Sequence, residues 1–334
     1  MLLQVNIKST IIRCISRLNM SEENILVSIS CITYNHEKYI KQTIDSFLNQ
    51  KTNFKYEILI HDDASTDGTQ KILKEYQEKF PEIIKTILRE ENQYSKGVKR
   101  ISYLNNDLRA NGKYIAMCEG DDYWNDENKL QEQVDILEKD NNISFCFTEA
   151  NLLDTMSNEI KDVQRAYRES CYIKMSDLIR QGGAFCPTAS IIYRRSMVEE
   201  MPEFFFNSHV GDYPLQLILG FKGEGYYIDK PMVTYRVNTP GSWSSKQNNK
   251  NKIKTMENDI ELLEEFNNYT GTKFNEDIQY KINECEFWIE YIEADIKKLK
   301  SKKYTEFYSR IGMLGKIKLY VRHYLPNVSI KLFR

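Results

Sequence analysis

Short apolar, β-branched runs recur along the first half of the chain, each followed by an amphipathic or polar stretch, and this alternation limits the possible folds more than any other feature. ILVSISCITY (25–34), YEILIH (56–61), IIKTIL (83–88), KYIAMC (113–118) and ISFCFT (143–148) read as strands buried on both faces. Between them, YIKQTIDSFLNQ puts Ile40, Ile44, Phe47 and Leu48 on one helical face. TQKILKEYQEKF reads as a helix that stops at Pro81, and NKLQEQVDILEKD as another. Strands and helices alternating at this spacing predict an α/β fold with a doubly wound, mostly parallel sheet flanked by helices. Beyond about residue 151 the rhythm loosens: TASIIYRR and MVTYRV read as strands and DYPLQLILG as a helix. From about 241 the sequence is polar and helical.

Composition bears mainly on partners. A formal net charge of -2 gives no global attraction to nucleic acid, and none is expected as a partner. The 7 cysteines are scattered, with no CxxC pair, so neither a zinc site nor a disulfide framework is expected, and reduced thiols in a cytoplasmic protein are the simpler account. No apolar stretch approaches the length of a membrane span. In the first residues, Lys8, Arg13 and Arg17 interrupt any secretory core. That stretch reads as a short basic helix or as sequence upstream of a start at Met20, and a poorly structured extension over 1–24 is expected.

Ligands of open α/β sheets bind beyond the carboxyl ends of the strands. Polar clusters fall at those ends here: Thr33-Tyr34-Asn35-His36, then His61 to Gly68, then Glu119-Gly120-Asp121-Asp122-Tyr123-Trp124. Acids packed this closely repel one another unless a cation neutralises them, and hard oxygen ligands suit Mg²⁺ or Mn²⁺. The bland alternative for 119–122 is an acidic surface turn before the next helix, with Gly120 easing the turn. Residues 63–68 match the opening of a calcium loop, but Lys74 stands where the bidentate Glu is required and a strand precedes it, so that reading fails. A better one has Asp62 or Asp63 reaching a ligand while Ser65, Thr66 or Asp67 caps the following helix.

VSISCITYNHEKYIKQTIDSFLNQ, YEILIHDDASTDGT and GKYIAMCEGDDYW together resemble, in order and spacing, the three signatures of the inverting family 2 glycosyltransferases of bacterial polysaccharide type. The resemblance covers roughly 25–240 and implies the GT-A fold, with a nucleotide-binding half over 25–150, an acceptor half over 151–240 and a helical, basic C-terminal region over 241–334. It implies an enzyme that moves a sugar from a nucleotide diphosphate-sugar, UDP favoured, to a glycan or lipid-linked acceptor. By the same resemblance Thr33 and Tyr34 face the nucleotide, Tyr34 stacking on the base and Asp63, beside Asp62, bonding it. Asp121 faces the ribose or the metal, and Glu119, Asp121 and Asp122 form the metal site for Mn or Mg. The catalytic base is carried over to Asp212 at the start of a helix, where a helix N-cap is the alternative role.

Two departures from the family pattern stand out. Gly211 replaces an acid before the base, and Asn238 replaces a histidine after Tyr235-Arg236. Arg236 or Arg100 is a candidate for the diphosphate, against a solvated arginine. His36 and His61 read as structural. Trp124 either floors the sugar pocket or anchors the next helix in the core. Cys186-Pro187-Thr188 is placed near the acceptor by analogy. The tail after Ser301, rich in Lys and Arg with interleaved Tyr, Leu, Ile and Phe, reads either as a peripheral contact with the inner face of the membrane or as a segment folded against the rest with a solvated basic face. A nucleotidyltransferase and an inactive nucleotide-sugar-binding module are the competing functions; the former usually carries a Gly-rich basic loop where this chain has TYNHEKY.

Overall fold

The computed structural model describes residues 25–239 and 248–325. The expected extension over 1–24, Pro326 and the last basic residues of the tail lie outside them.

The strands form because their alternate residues are apolar on both faces. In β2 (Lys55–Asp62) Ile58 and Ile60 face one core and Leu59 the other. In β4 (Tyr114–Glu119) Ala116 and Cys118 oppose Ile115 in the same way. With β1 (Ile25–Thr33) and β3 (Ile84–Leu88) these make a parallel block in the order β3-β2-β1-β4. Helices α1 (Ile40–Leu48), α2 (Thr69–Lys79) and α4 (Lys129–Lys139) follow β1, β2 and the acidic turn, and a short α3 (Ile101–Asn105) precedes β4. On α1, Ile40, Ile44 and Phe47 are fully buried, as their spacing implied.

The sheet continues β4-β9-β6-β10-β5, with β6 (Ile143–Asp154) and β10 (Glu224–Val237) parallel to each other. The α/β, mostly parallel architecture expected from the sequence is therefore present, with two refinements. TASIIYRR yields only β9 (Ile192–Arg194), and it runs antiparallel between β4 and β6. Pro187 starts a tight turn over Thr188–Ser190, where the Ser190 N–H and hydroxyl both donate to the Pro187 carbonyl, so the strand begins late. β10 is far longer than MVTYRV because it shifts register around Pro231, a residue with no N–H to give the ladder. At the far edge β5 (Tyr123–Trp124) pairs antiparallel with β10, while β7 (Glu159–Gln164) and β8 (Cys171–Tyr172) add to β6 and β10.

Helices α5 (Met175–Gln181), α6 (Glu203–Asn207) and α7 (Asp212–Lys222) cover the second face. The C-terminal α8 (Asn249–Tyr269) and α9 (Asn275–Glu293) join that core through Leu262, Leu263, Phe266, Ile278 and Ile282. A separate small core, built on Phe287, Leu299, Tyr304, Phe307 and Leu319, gathers α10 (Ile296–Leu299), α11 (Thr305–Arg310) and α12 (Met313–Tyr324) against the end of α9. Among the described residues no helix is long and apolar enough to cross a membrane.

Candidate active site

Parallel register brings the strand ends together: Thr33 of β1 lies opposite Asp62 of β2, and Ile32 opposite Glu119 of β4. After β4 the chain turns through Gly120, Asp121 and Asp122, and several distant groups fix that turn. The Gly120 N–H donates to the Ile32 carbonyl at 2.9 Å. The Thr43 hydroxyl lies 2.6 Å from the Asp122 carbonyl and 3.0 Å from that of Gly120. From β10, the Arg236 N–H donates to Asp122 Oδ1 at 2.9 Å. The Arg236 guanidinium donates to the Asp121 carbonyl and the Gln42 side chain, between the rings of Tyr39 and Tyr123 at 4.9 and 4.7 Å. Arg236 is thus a brace for the acidic turn. Gly120 is required by close approach: a Cβ there would sit 2.7 Å from the Thr33 hydroxyl and 3.0 Å from His36 Nδ1.

The three acids share one field. Burial, then Asp121 and Asp212, push the Glu119 carboxyl up to about 8. Burial, then Asp121 and Glu119, raise Asp122 well above the usual carboxylate range. Asp121 stays partly open, 3.8 Å from His36 Nε2. Among the described residues no three His, Cys, Asp or Glu side chains already converge as a metal cage. The donor set instead fits a hard divalent cation that takes one or two protein carboxylates and completes its shell with substrate phosphates and water.

Asp212 opens α7, and its Oδ1 accepts the Tyr213 N–H at 2.8 Å. Burial raises its carboxyl above the usual range, while Arg100 and a hydrogen bond from Thr188 pull it back. Thr188 belongs to the Cys-Pro-Thr segment expected near this spot. Arg100, in left-handed backbone at φ 58°, donates to the carbonyls of Phe205 and Ser208 and so holds the loop leading into Asp212. A Cβ on Gly211 would lie 3.2 Å from Arg100 Nη1, so the position where an acid was missing is where this arginine packs. Behind Arg100, His209 Nε2 lies 3.5 Å from Asp259 of α8. Burial, with Asp212 adding to it, pushes Asp259 up to about 7, and burial, with Arg100 and Lys99, pushes His209 down to about 4.

The other residues singled out from sequence are placed as follows. Tyr34 is 44% exposed and Thr33 is buried, its hydroxyl without a protein partner. The Asp62 carboxylate is occupied by the Ser65 N–H and hydroxyl and by Gln70. That of Asp63 accepts the N–H groups of Gln93 and Tyr94, at 2.8 and 3.0 Å. Both acids therefore shape loops at the strand ends. Asp67 bonds the Thr69 N–H and hydroxyl from one position before the N-cap of α2, which is Gly68 and has no side-chain cap. Trp124 is 4% exposed, its indole N–H on the Ala189 carbonyl and its ring 4.7 Å from Phe47, which is the anchoring geometry of its two candidate roles. Asn238 is exposed, in left-handed backbone. His61 is fully buried, 3.7 Å from Asp63. Thr43, His209 and Asp259 had no signal in the sequence. A cavity of about 450 Å³ beside Ile25, Asn111, Lys113 and Glu199 sits at the opposite, amino ends of the strands.

The family model Glycosyl transferase family 2 matches residues 28–201. The chain spans 63% of the length of the Mycobacterium tuberculosis protein Rv1520, to which it is 32% identical over 68% of its own residues. It is 31% identical, over 58% of its residues and 70% of the relative, to WfgD of Escherichia coli, a UDP-Glc:alpha-D-GlcNAc-diphosphoundecaprenol beta-1,3-glucosyltransferase. Its fold is similar to that of Staphylococcus aureus TarS 1-349, solved in complex with UDP-GlcNAc, with a TM-score of 0.55, 15% identity, and coverage of 89% and 79% of the two chains. It is also similar to the mannosyltransferase PcManGT of Pyrobaculum calidifontis, solved with GDP-Man and Mn2+, with a TM-score of 0.52, 13% identity and 97% coverage of each chain.

Proposed function

The chain belongs to glycosyl transferase family 2, and from that premise we propose that it transfers one sugar, with inversion, from a nucleoside diphosphate-sugar to a hydroxyl of a glycan or lipid-linked acceptor in surface polysaccharide synthesis. The observation that carries this reading is that the segment 186–191 ties β4 to the helix that Asp212 opens, with the Met117 N–H on the Ile191 carbonyl at 2.9 Å and Gln216 Nε2 on the Cys186 carbonyl at 3.3 Å, so that Asp212 lies near enough to the acids after β4 to raise the Glu119 carboxyl. Two chemical roles, on opposite sides of a reacting carbon, need that juxtaposition.

In the proposed reaction Asp212 takes the proton of the acceptor hydroxyl as its oxygen bonds to the anomeric carbon. The carbon–oxygen bond to the diphosphate breaks on the opposite face, and the nucleoside diphosphate leaves with the electron pair. A carboxyl raised by burial is a stronger base near neutral pH than an ordinary one, and such a group contributes about 10²- to 10⁴-fold. Arg100 keeps it aimed by holding the loop before it. One or two of Glu119, Asp121 and Asp122 would hold Mn²⁺ or Mg²⁺, which when bound stabilises the charge that grows on the leaving diphosphate. Thr33 and Tyr34 receive the nucleotide, with the loops that Asp62 and Asp63 fold completing that side. A UDP-sugar is favoured as donor, a preference supported by the similarity to WfgD. The enzyme then works in the cytoplasm, at the inner face of the membrane where a lipid-linked acceptor is presented. The family match supports this reading over the nucleotidyltransferase alternative.

A thermal-shift screen of nucleoside diphosphates and their sugars, with and without Mn²⁺, tests the donor side. Metal-dependent stabilisation by a uridine nucleotide is expected. The configuration of the product then tests the chemistry: retention at the anomeric carbon would overturn the inverting step. Nucleotide binding without transfer to any acceptor would favour the inactive binding module.

A further inference from the structure

Helix α12 carries apolar side chains on two sides, and among the described residues only one of them is packed against the protein. Inward, Leu319 is fully buried in the small C-terminal core. The Gly315 carbonyl accepts the Tyr291 hydroxyl at 2.9 Å, and His323 Nδ1 lies 2.8 Å from the Ala294 carbonyl, so the helix is held on that side. Outward, Met313, Leu314, Ile317 and Tyr324 are 77%, 76%, 47% and 66% exposed, and Leu325 just beyond is 54% exposed. At about 100° per residue, positions 313, 317 and 324 share one line, with 314 and 321 beside it. Lys316 and Lys318 fall on the two flanks of this stripe, and Arg322 lies beyond Lys318. No other stretch of this length among the described residues gathers so many exposed large apolar side chains. Nothing acidic follows Glu306 anywhere in the sequence.

We propose that this outward face of α12 docks on an anionic lipid bilayer, lying in the interface with Met313, Leu314, Ile317 and Tyr324 among the acyl chains and its basic flanks on the headgroups. A helix with a basic polar border and an exposed apolar stripe has the composition of an interfacial element, and the charge is complementary to acidic headgroups. A protein partner suits it less well. Lysine is depleted in protein interfaces, and here lysines border the stripe on both sides. The proposal deepens the preceding reading, since a lipid-linked acceptor is presented at such a surface. Its test reads binding rather than turnover, so the two fail separately.

The experiment uses the full chain and sedimentation with vesicles of phosphatidylcholine, with or without about one-third phosphatidylglycerol. The protein is expected to pellet with the anionic vesicles, to stay in solution with the neutral ones, and to be released by ~0.5 M salt. The double substitution Leu314→Ser and Ile317→Ser is expected to lower partitioning about tenfold with an unchanged melting temperature, because both side chains are exposed. Lys316→Glu is expected to weaken binding to anionic vesicles. Absence of binding to anionic vesicles overturns the proposal, as does binding that the double substitution leaves intact. A dimer in solution that the double substitution dissolves would assign the face to a second copy of the chain and overturn it as well. Transfer to a soluble acceptor, measured in parallel, is expected to be the same for all these variants.

Discussion

The acidic turn after β4 and the loop that carries Asp212 sit at one edge of the sheet but are held by different forces. The turn is fixed by directional hydrogen bonds from three elements: the Ile32 carbonyl, the Thr43 hydroxyl and the Arg236 N–H. Asp212 is set in a balance of buried charges, with Arg100 pulling its carboxyl down while burial lifts it, and with Asp259 nearby lifted in turn by Asp212. The bonds from Ile32 and Thr43 join backbone and hydroxyl groups and respond little to pH or salt, and of the turn's braces only those of Arg236 involve charge; a balance of buried charges responds to both. The difference suggests that the geometry offered to the leaving group is rigid, while the strength of the proposed base is adjustable.

The largest expected effect breaks the adjustable side outright. Asp212→Asn should lower kcat by about 10²- to 10⁴-fold, with circular dichroism and melting temperature retained. The rigid side is broken by Arg236→Met, which removes the guanidinium bonds but leaves the backbone bond to Asp122. A loss of about 3–6 kcal/mol in urea unfolding is expected, since two charged hydrogen bonds are lost and each contributes ~1.5–3 kcal/mol, and activity should fall with it. If stability is unaffected, the turn is not braced as described.

Smaller changes sharpen the contrast. Arg100→Gln takes the positive charge from beside Asp212, so the carboxyl rises further and the acid limb of the kcat/KM profile should move to higher pH. Arg100→Lys should restore most of it. The smallest effect concerns Glu119. Its folded carboxyl is raised to about 8 from an ordinary 4.5, so folding is favoured most below the ordinary value and loses that contribution as pH rises towards 8. The metal-free melting temperature should therefore fall between pH 5 and 8, by about 2–4 °C. Glu119→Gln should flatten the slope, and Mn²⁺ with a nucleoside diphosphate should offset it.

Much of this architecture could be read from the sequence because its signals are local. Burial on both faces leaves a continuous apolar run, and parallel strands deliver their ends to one edge, so the acids after β4 could be located from their position alone. What could not be read depends on distance along the chain. Arg236 meets Asp122 across 114 residues and Thr43 meets it across 79, and neither residue differs in kind from a solvated one. Asp62 and Asp63 illustrate a second limit: a carboxylate at a strand end can face a ligand or its own loop, and here their oxygens are occupied by Ser65, Gln70, Gln93 and Tyr94. Trp124 is similar, since only its burial separates an anchor from a pocket floor.

The interleaving of the sheet has a mechanical consequence. β9, from the second half, lies between β4 and β6, while β5, from the first half, closes the far edge on β10. Among the described residues the two sides of the cleft therefore share one continuous sheet, which resists their rocking against each other. Opening and closing around a substrate is left to the connecting segments alone. A chain severed after residue 154 would leave the flank of β4 bare and strip β6 of its partners β7, β9 and β10, so neither fragment should fold until it meets the other.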